Sequence, residues 1–370
     1  MIRINRRDAM SVALGAVSLG LTSLSGPRKR PERVIVVALA GGIRTRETLS
    51  SPTNTPNLIR IANKGLVYSR ARASNLGHFG ATLSILTGIS EARGIRENAR
   101  GTDPTLFEYV RKDLHLAPGD AWVSTSGGAQ EANVSHSLHP DYGPRYGATT
   151  VDGDGVFNAD FKALLDEFGR PRDMEPSELA LLARMRAAIG DSKEQETEAA
   201  MKVERFLLDE LRRGTQDLKG LGAADAKAFR VARNLLAVFR PRLLTVVTRD
   251  ADVAHGSFND YVQVIRRNDA MLGELWDAVQ EDENLRETTS FFILPEFGRD
   301  ADLNSRRGLD HGDGSDDLRY VSIVCQGASI RSADIVRQEV STIDVCSTVC
   351  DLMGCDARYS RGQRLPRLLG

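Results

Sequence analysis

Short runs of apolar, mostly β-branched or aromatic residues recur along the chain: Val34–Leu39, Ala121–Ser124, Leu243–Val247, Ser290–Leu294 and Tyr320–Cys325. Each is apolar on both faces, as strands of a sheet covered on both sides are. Between them, apolar positions fall at helical spacing over Thr55–Lys64, Thr82–Thr87, Tyr261–Val279 and Thr342–Met353. This alternation predicts an α/β fold with helices on both faces of a mostly parallel sheet. Ligands of such sheets bind beyond the carboxyl ends of the strands, so the segments just after each run are the ones to read for chemistry. The stretch from about 158 to 240 breaks the alternation. Leu164-Leu165, Leu179–Met185, Val203–Leu211 and Phe229–Phe239 repeat at helical spacing with many charges and no strand. It is expected to be a helical insertion between two halves of the sheet, its charge runs being solvated faces.

The first 25 residues belong to neither pattern. Arg6-Arg7 precede a mildly apolar run from Met10 to Leu24 rich in Gly, Ala and Ser. At roughly 15 residues the run is too short to span a bilayer, which takes about 20. The form Asn5-Arg6-Arg7-Asp8-Ala9-Met10 resembles a twin-arginine export signal. The expectation is a periplasmic or extracellular protein whose folded unit is 26–370 and does not span the membrane once the signal is removed. Twin-arginine systems carry folded proteins, often with a metal or cofactor already inserted, which favours a bound metal.

Composition narrows the classes further. A chain of 370 residues can bury one large core or two medium ones. With 49 basic against 50 acidic residues and a net charge of −1, it is no nucleic-acid binder of the phosphate-neutralising kind. Cys325, Cys346, Cys350 and Cys355 offer no Cys-x-x-Cys pair for zinc. Cys346 and Cys350, four apart in a helical pattern, lack the geometry a bridge prefers, so the thiols read as small buried hydrophobes.

Four post-strand segments carry candidate chemistry: Ala40-Gly41-Gly42-Ile43-Arg44, Arg249 to Gly256, Pro295 to Asp300, and Gly308 to Gly314. Carboxylate and imidazole side chains at strand ends are what a zinc or similar divalent site requires. Asp252 and His255, three apart, with His311 from a remote loop, would make a three-ligand set; a lone Asp-x-x-His is also the signature of a surface pair or helix cap. Arg44 and Arg299 follow strand ends and could bind an anionic ester or pair with a carboxylate. The acidic stretches Asp152–Asp154 and Asp310–Asp317 lack the spacing of an EF-hand and are expected to be turns. His136 and His139, near Tyr142 and Tyr146, read as surface loop residues, the alternative being that they line a substrate pocket.

Taken in order, the motifs resemble the alkaline phosphatase and sulfatase superfamily. Thr55-Pro56-Asn57-Leu58 to Gly65 is similar to the segment after that family's first metal-binding strand, and Leu86-Thr87-Gly88 to the end of its nucleophile helix. Asp252-Val253-Ala254-His255, then Tyr261 and Arg266 to Gly273, resemble its Asp/His metal motif and following helix. Ser341 to Val345, Leu352-Met353-Gly354 and Gly362 to Pro366 resemble its carboxyl-terminal close. The resemblance implies a three-layer α/β/α sandwich and two metal positions about 4 Å apart. It assigns one metal to Asp252, His255 and His311. The other half departs from the pattern. The first-strand aspartate falls at Ala40 or Gly41, the Asp-His pair falls on Glu296-Phe297, and the nucleophile position is His78, followed by Thr82 where a basic residue is expected.

Two readings follow. The first is a divergent metal-dependent hydrolase of a phosphate or sulfate ester. It would use one divalent ion (zinc first; calcium, magnesium or manganese as alternatives) on Asp252, His255 and His311. Glu296 would be an extra ligand or general base, and Arg44 or Arg299 would bind the small anionic substrate. The second is an exported pseudoenzyme that keeps the fold, with or without a structural metal, and binds a ligand or partner. His78 stands open between a fourth metal ligand, a nucleophile forming a phosphohistidine, and a helix-cap or core residue.

Overall fold

The computed structural model describes residues 30–90, 100–127, 133–152, 202, 205, 206, 209, 210 and 218–369. The run Arg33–Leu39 forms β1, and six of its seven residues are buried. Its alternate side chains feed two different cores. Ile35, Val37 and Leu39 join one apolar cluster, and Val34, Val36 and Ala38 join the other. Both clusters therefore depend on this one strand, whose fully buried Val and Ile side chains each contribute about 1.5–3 kcal/mol.

The helices α1 (Pro56–Ala62), α4 (Ala223–Phe239) and α5 (Phe258–Glu281) pack on the first face, through Leu58, Phe229, Leu235, Tyr261 and Trp276 among others. The helices α2 (His78–Thr87), α3 (Leu106–Asp113) and α8 (Asp344–Met353) pack on the second, through Leu83, Phe107, Tyr109 and Val349. Short α6 (Glu283–Thr288) and α7 (Asp316–Arg319) lead directly into strands. The result is the expected three-layer α/β/α sandwich.

Among the described residues the sheet has nine strands. Besides β1 they are β2 (Leu66–Arg72), β3 (Ala121–Thr125), β4 (Thr149–Asp152), β5 (Leu243–Val247), β6 (Thr289–Pro295), β7 (Tyr320–Gly327), β8 (Asp334–Val336) and β9 (Val340–Ser341). Their order is β4-β3-β5-β1-β6-β7-β2-β8, with β9 also pairing β2. All pairings are parallel except those of β7, which runs antiparallel to both β6 and β2. The apolar run 320–325 is thus a strand as expected, but it enters the sheet reversed.

Much of the expected insertion, 153–201 included, lies outside the described residues, as do residues 1–29. Its carboxyl-terminal part does not stand apart from the sheet. Helix α4 buries Ala228, Phe229, Leu235 and Leu236, and the Ala228 carbonyl accepts a hydrogen bond from Ser124 of β3 at 2.7 Å. No helix among the described residues is long and apolar enough to cross a membrane. All four cysteines are free thiols, three of them buried.

Candidate active site at the carboxyl ends of the strands

Four elements converge beyond β1, β5 and β6. After β5 the chain makes a 3₁₀ turn, Asp250–His255. Residues three apart eclipse in a 3₁₀ turn, so Asp252 and His255 share a face, with Asp252 Oδ1 3.3 Å from His255 Nε2. The turn is anchored from α4. The buried Asp225 carboxylate accepts hydrogen bonds from the Arg249 and Asp250 amides, at 2.7 and 3.1 Å, and from Asn268 Nδ2 at 2.8 Å. Burial and the neighbouring Asp250 push the Asp225 carboxyl up to about 6.

Helix α2 presents His78 in its first turn and Thr82 one turn later, on the same face. Both reach Glu296, which follows β6 and is fully buried. His78 Nδ1 lies 2.7 Å from Glu296 Oε1, and Thr82 Oγ1 donates to Oε2 at 2.8 Å. The Gly41 amide completes the set, donating to Oε1 at 2.8 Å. The other imidazole nitrogen, His78 Nε2, faces Asp252 Oδ1 at 2.8 Å, an ion-pair distance off the hydrogen-bond axis. Burial works against protonation of this imidazole, but Asp252 and Glu296 on either side outweigh it and push its pKa up to about 9. Asp252 is buried enough to disfavour its charge, yet His78 and Arg299 hold it below the usual carboxylate range.

The loop after β6 brings in Arg299, none of whose side chain is exposed. Its Nε donates to the Gly41 and Gly42 carbonyls at 3.2 and 3.3 Å. Nη1 reaches the Leu309 carbonyl at 3.2 Å and His255 Nε2 at 3.0 Å. Nη2 donates to Asp252 Oδ1 at 2.6 Å and to the Gly41 carbonyl. All five guanidinium N–H groups are thereby used. Arg299, expected to bind an anion, instead directs every donor to an acceptor of the protein itself. Arg44 is likewise turned away. It is 3% exposed, clamps Glu47 bidentately at 2.7 Å, and donates to the Asp300 and Ala301 carbonyls, tying the β1 turn to the post-β6 loop.

His311 enters from the 308–314 loop. Its ring lies 5.0 Å from that of His78 and 5.1 Å from that of His255, centroid to centroid. Nitrogen atoms of these three histidines all lie within 4.8 Å of one another. Burial, then Arg299 and the two neighbouring imidazoles, lower the His311 pKa. His255 Nδ1 is held by Asp310 at 2.6 Å. The acidic loop itself is turn chemistry, as expected: Asp300 accepts from the Gly312 and Asp313 amides, and Asp313 from those of Ala301 and Ser315.

Between these groups lies a cavity of about 130 Å³ lined by Ala40, Gly41, His78, Phe79, Thr82, Arg249, Asp252 and Glu296. A wider groove of about 650 Å³ adjoins it and shares Arg249 and Asp252. Arg249 is exposed, its Nη1 donating to the Gly127 carbonyl at 3.3 Å. Sequence reasoning gave Arg249 no role, although its place two residues beyond β5 was the available signal. His136 and His139 do not line this cavity. His139 packs against Tyr142 and Tyr359, and burial and Arg100 push the His136 pKa down to about 4.

Known structures share this architecture across nearly the whole chain. They include wild-type alkaline phosphatase PafA, with a TM-score of 0.59 at 9% identity over 93% of this chain and 100% of that one. The phosphonate monoester hydrolase of Agrobacterium radiobacter gives 0.55 at 12% identity, covering 92% of this chain and 77% of its own. Lipoteichoic acid synthase LtaP from Listeria monocytogenes gives 0.53 at 10%, covering 89% and 73%. The fold is that of the alkaline phosphatase superfamily. No sequence-family profile and no curated protein matches the chain.

The superfamily resemblance implies two metals, and the residues here do not fit two. Gly41 stands after β1 with φ +92°, and a Cβ there would meet the Asp252 amide nitrogen at 2.6 Å. Phe297, fully buried, offers an apolar ring against His78 and His311. A single ion has a spatially suitable trio in His78, His255 and His311. As the side chains stand, however, the His255 Nε2 lone pair is taken by Arg299, and both His78 nitrogens face carboxylates. The superfamily fold is present, and three imidazoles, His78, His255 and His311, come close enough together to hold one ion.

Proposed function

We propose that this chain binds a small anionic ester in the strand-end cavity and does not hydrolyse it. Arg249 would hold the charged group, and the adjoining groove the remainder of the molecule. The observation that carries this reading is the state of position 78. Where the resemblance implies a hydroxyl nucleophile, an imidazole sits at ion-pair distance between Glu296 and Asp252. Among the described residues the one hydroxyl lining the cavity, Thr82, already donates to Glu296.

Calorimetry with aryl phosphate, phosphodiester and aryl sulfate probes, alongside turnover assays on the same compounds, tests the proposal. Binding weakened at least about tenfold by Arg249→Ala, without turnover, supports it; tenfold corresponds to 1.4 kcal/mol. Turnover lost in both Asp252→Ala and His255→Ala would overturn it.

The nearness of the three imidazoles favours a second reading, a hydrolase with one divalent ion, zinc first, on His78, His255 and His311. That ion would polarise the ester when bound. It requires Arg299 to leave His255, and one equivalent of metal in the active purified protein distinguishes it. Export through residues 1–25 is part of either proposal. Fractionation of cells making the full chain, compared with the Arg6→Lys/Arg7→Lys variant, tests that step.

A further inference from the structure

We propose that the Arg299 guanidinium is the built-in cation of this site, taking up the donor atoms that Asp252 and His255 would otherwise offer a divalent ion. The inference does not depend on which ligand the cavity takes.

Three observations converge on it. The first is the acceptor set. Asp252 and His255, two of the three residues assigned to a metal by the resemblance, supply the two side-chain acceptors of Arg299, through Oδ1 at 2.6 Å and Nε2 at 3.0 Å. His255 donates its Nδ1–H to Asp310, which leaves Nε2 as the acceptor. A guanidinium is permanently charged, planar and weakly hydrated, so it can be buried where its five donors are met. Here they all are.

The second is the backbone beneath it. Gly41 and Gly42 adopt φ values of +92° and +68°, which glycine reaches without strain. The carbonyls of both accept from Arg299. A Cβ at Gly42 would lie 2.6 Å from Arg299 Nε and 2.9 Å from a Phe297 ring carbon. The turn is thus shaped to hold the arginine, and the same shape leaves no room at position 41 for an aspartate. The third is Phe297. Its fully buried ring packs against His78 and His311, so an apolar contact fills the side of the site next to Glu296.

Arg299 is therefore a positioning residue. It fixes the Asp252/His255 turn to the β1 turn by hydrogen bonds, at 2.6 Å to Asp252 and 3.0 Å to His255, where a zinc ion would use bonds of about 2.0–2.2 Å. A metal can be accepted only by a chain from which the guanidinium has gone.

The test is zinc itself, titrated into the wild-type chain, Arg299→Ala and Arg299→Ala/His255→Ala, with stoichiometry and the shift in Tm as readouts. The wild type is expected to bind no stoichiometric zinc through these residues. Arg299→Ala is expected to take up one ion with a gain in affinity on the order of 100-fold, the upper scale for altering groups around a metal ligand. The double variant should lose it. A simple loss of structural support would not create a zinc site. A wild-type chain that binds one zinc through His255, or a folded Arg299→Ala chain with no gain, would overturn the inference. Should Arg299→Ala fold only when zinc is supplied, the inference stands. Should it not fold at all, wild-type zinc binding and its sensitivity to His255→Ala decide the matter.

Discussion

The two halves of the strand-end site have diverged in opposite ways. On the β5 side, Asp252, His255 and His311 are the residue types the superfamily resemblance implies, on the turn and loop where it implies them. On the β1, α2 and β6 side, glycine, histidine and phenylalanine stand at the implied ligand and nucleophile positions. Arg299 reaches across from the altered half and engages the Asp252 and His255 atoms of the retained one. The lesson is that ligand residue types in the implied places do not by themselves offer free lone pairs. The groups facing them decide whether their lone pairs are free.

The largest effect is expected from Arg299→Ala. It strands the buried Gly41, Gly42 and Leu309 carbonyls, for a loss of about 2–4 kcal/mol in urea or guanidinium denaturation, while Asp252, 44% exposed and still beside His78, adds little. Arg299→Lys should recover little, because a single ammonium cannot reproduce the planar fork. A loss under about 1 kcal/mol would mean that the halves are not joined through this side chain.

Gly41→Ala comes next. A Cβ would meet the Asp252 amide at 2.6 Å and the Arg249 carbonyl at 2.7 Å in a left-handed backbone conformation. The expected loss is about 2–4 kcal/mol, from strain and overpacking together. If the altered half were a relaxed remnant, free to open, the substitution would be nearly neutral.

A smaller effect is expected from pH. The folded His78 pKa is pushed up to about 9 from an ordinary 6.5. A raised histidine pKa contributes stability that is fully present below about pH 6.5 and lost as pH rises through about 9. Denaturation midpoints from about pH 6 to 10 should therefore show the wild-type advantage over His78→Gln shrinking across that window. A constant advantage would remove the imidazolium from the description and bring the two halves closer in character.

How much of this was legible beforehand differs between fold and site. Runs such as Val34–Leu39 and Ser290–Leu294 are buried on both faces, so their patterning carried the strands and the layered class. Strand β2, with arginines at 70 and 72 and a half-exposed face, did not read as a strand. The short β4, β8 and β9 are too brief to show a period. The direction of β7 depends on the loop that precedes it and leaves no trace in its own apolar run. At the site, Asp252, His255, His311, His78 and Glu296 were all named and all converge. The roles of Arg44 and Arg299 were not readable. An arginine after a strand looks the same in sequence whether it faces a ligand or folds back onto carbonyls. Only the conformations of Gly41 and Gly42 and the Glu47 clamp tell the cases apart.

The smallest effect is expected at the rim. Asp310 holds His255 Nδ1 from an exposed position, and such pairs are screened by solvent. Asp310→Asn should leave the denaturation midpoint within error. A clear loss there would place more of the site's stability in the retained half than the geometry assigns to it.

The most direct test is a crystal structure of the wild-type chain grown in millimolar zinc, with anomalous data at the zinc edge. The expected result is Arg299 within hydrogen-bond distance of the Gly41 carbonyl, Asp252 and His255, with no anomalous peak among them. A peak at about 2.0–2.2 Å from His255 Nε2, with the guanidinium displaced, would contradict the central claim.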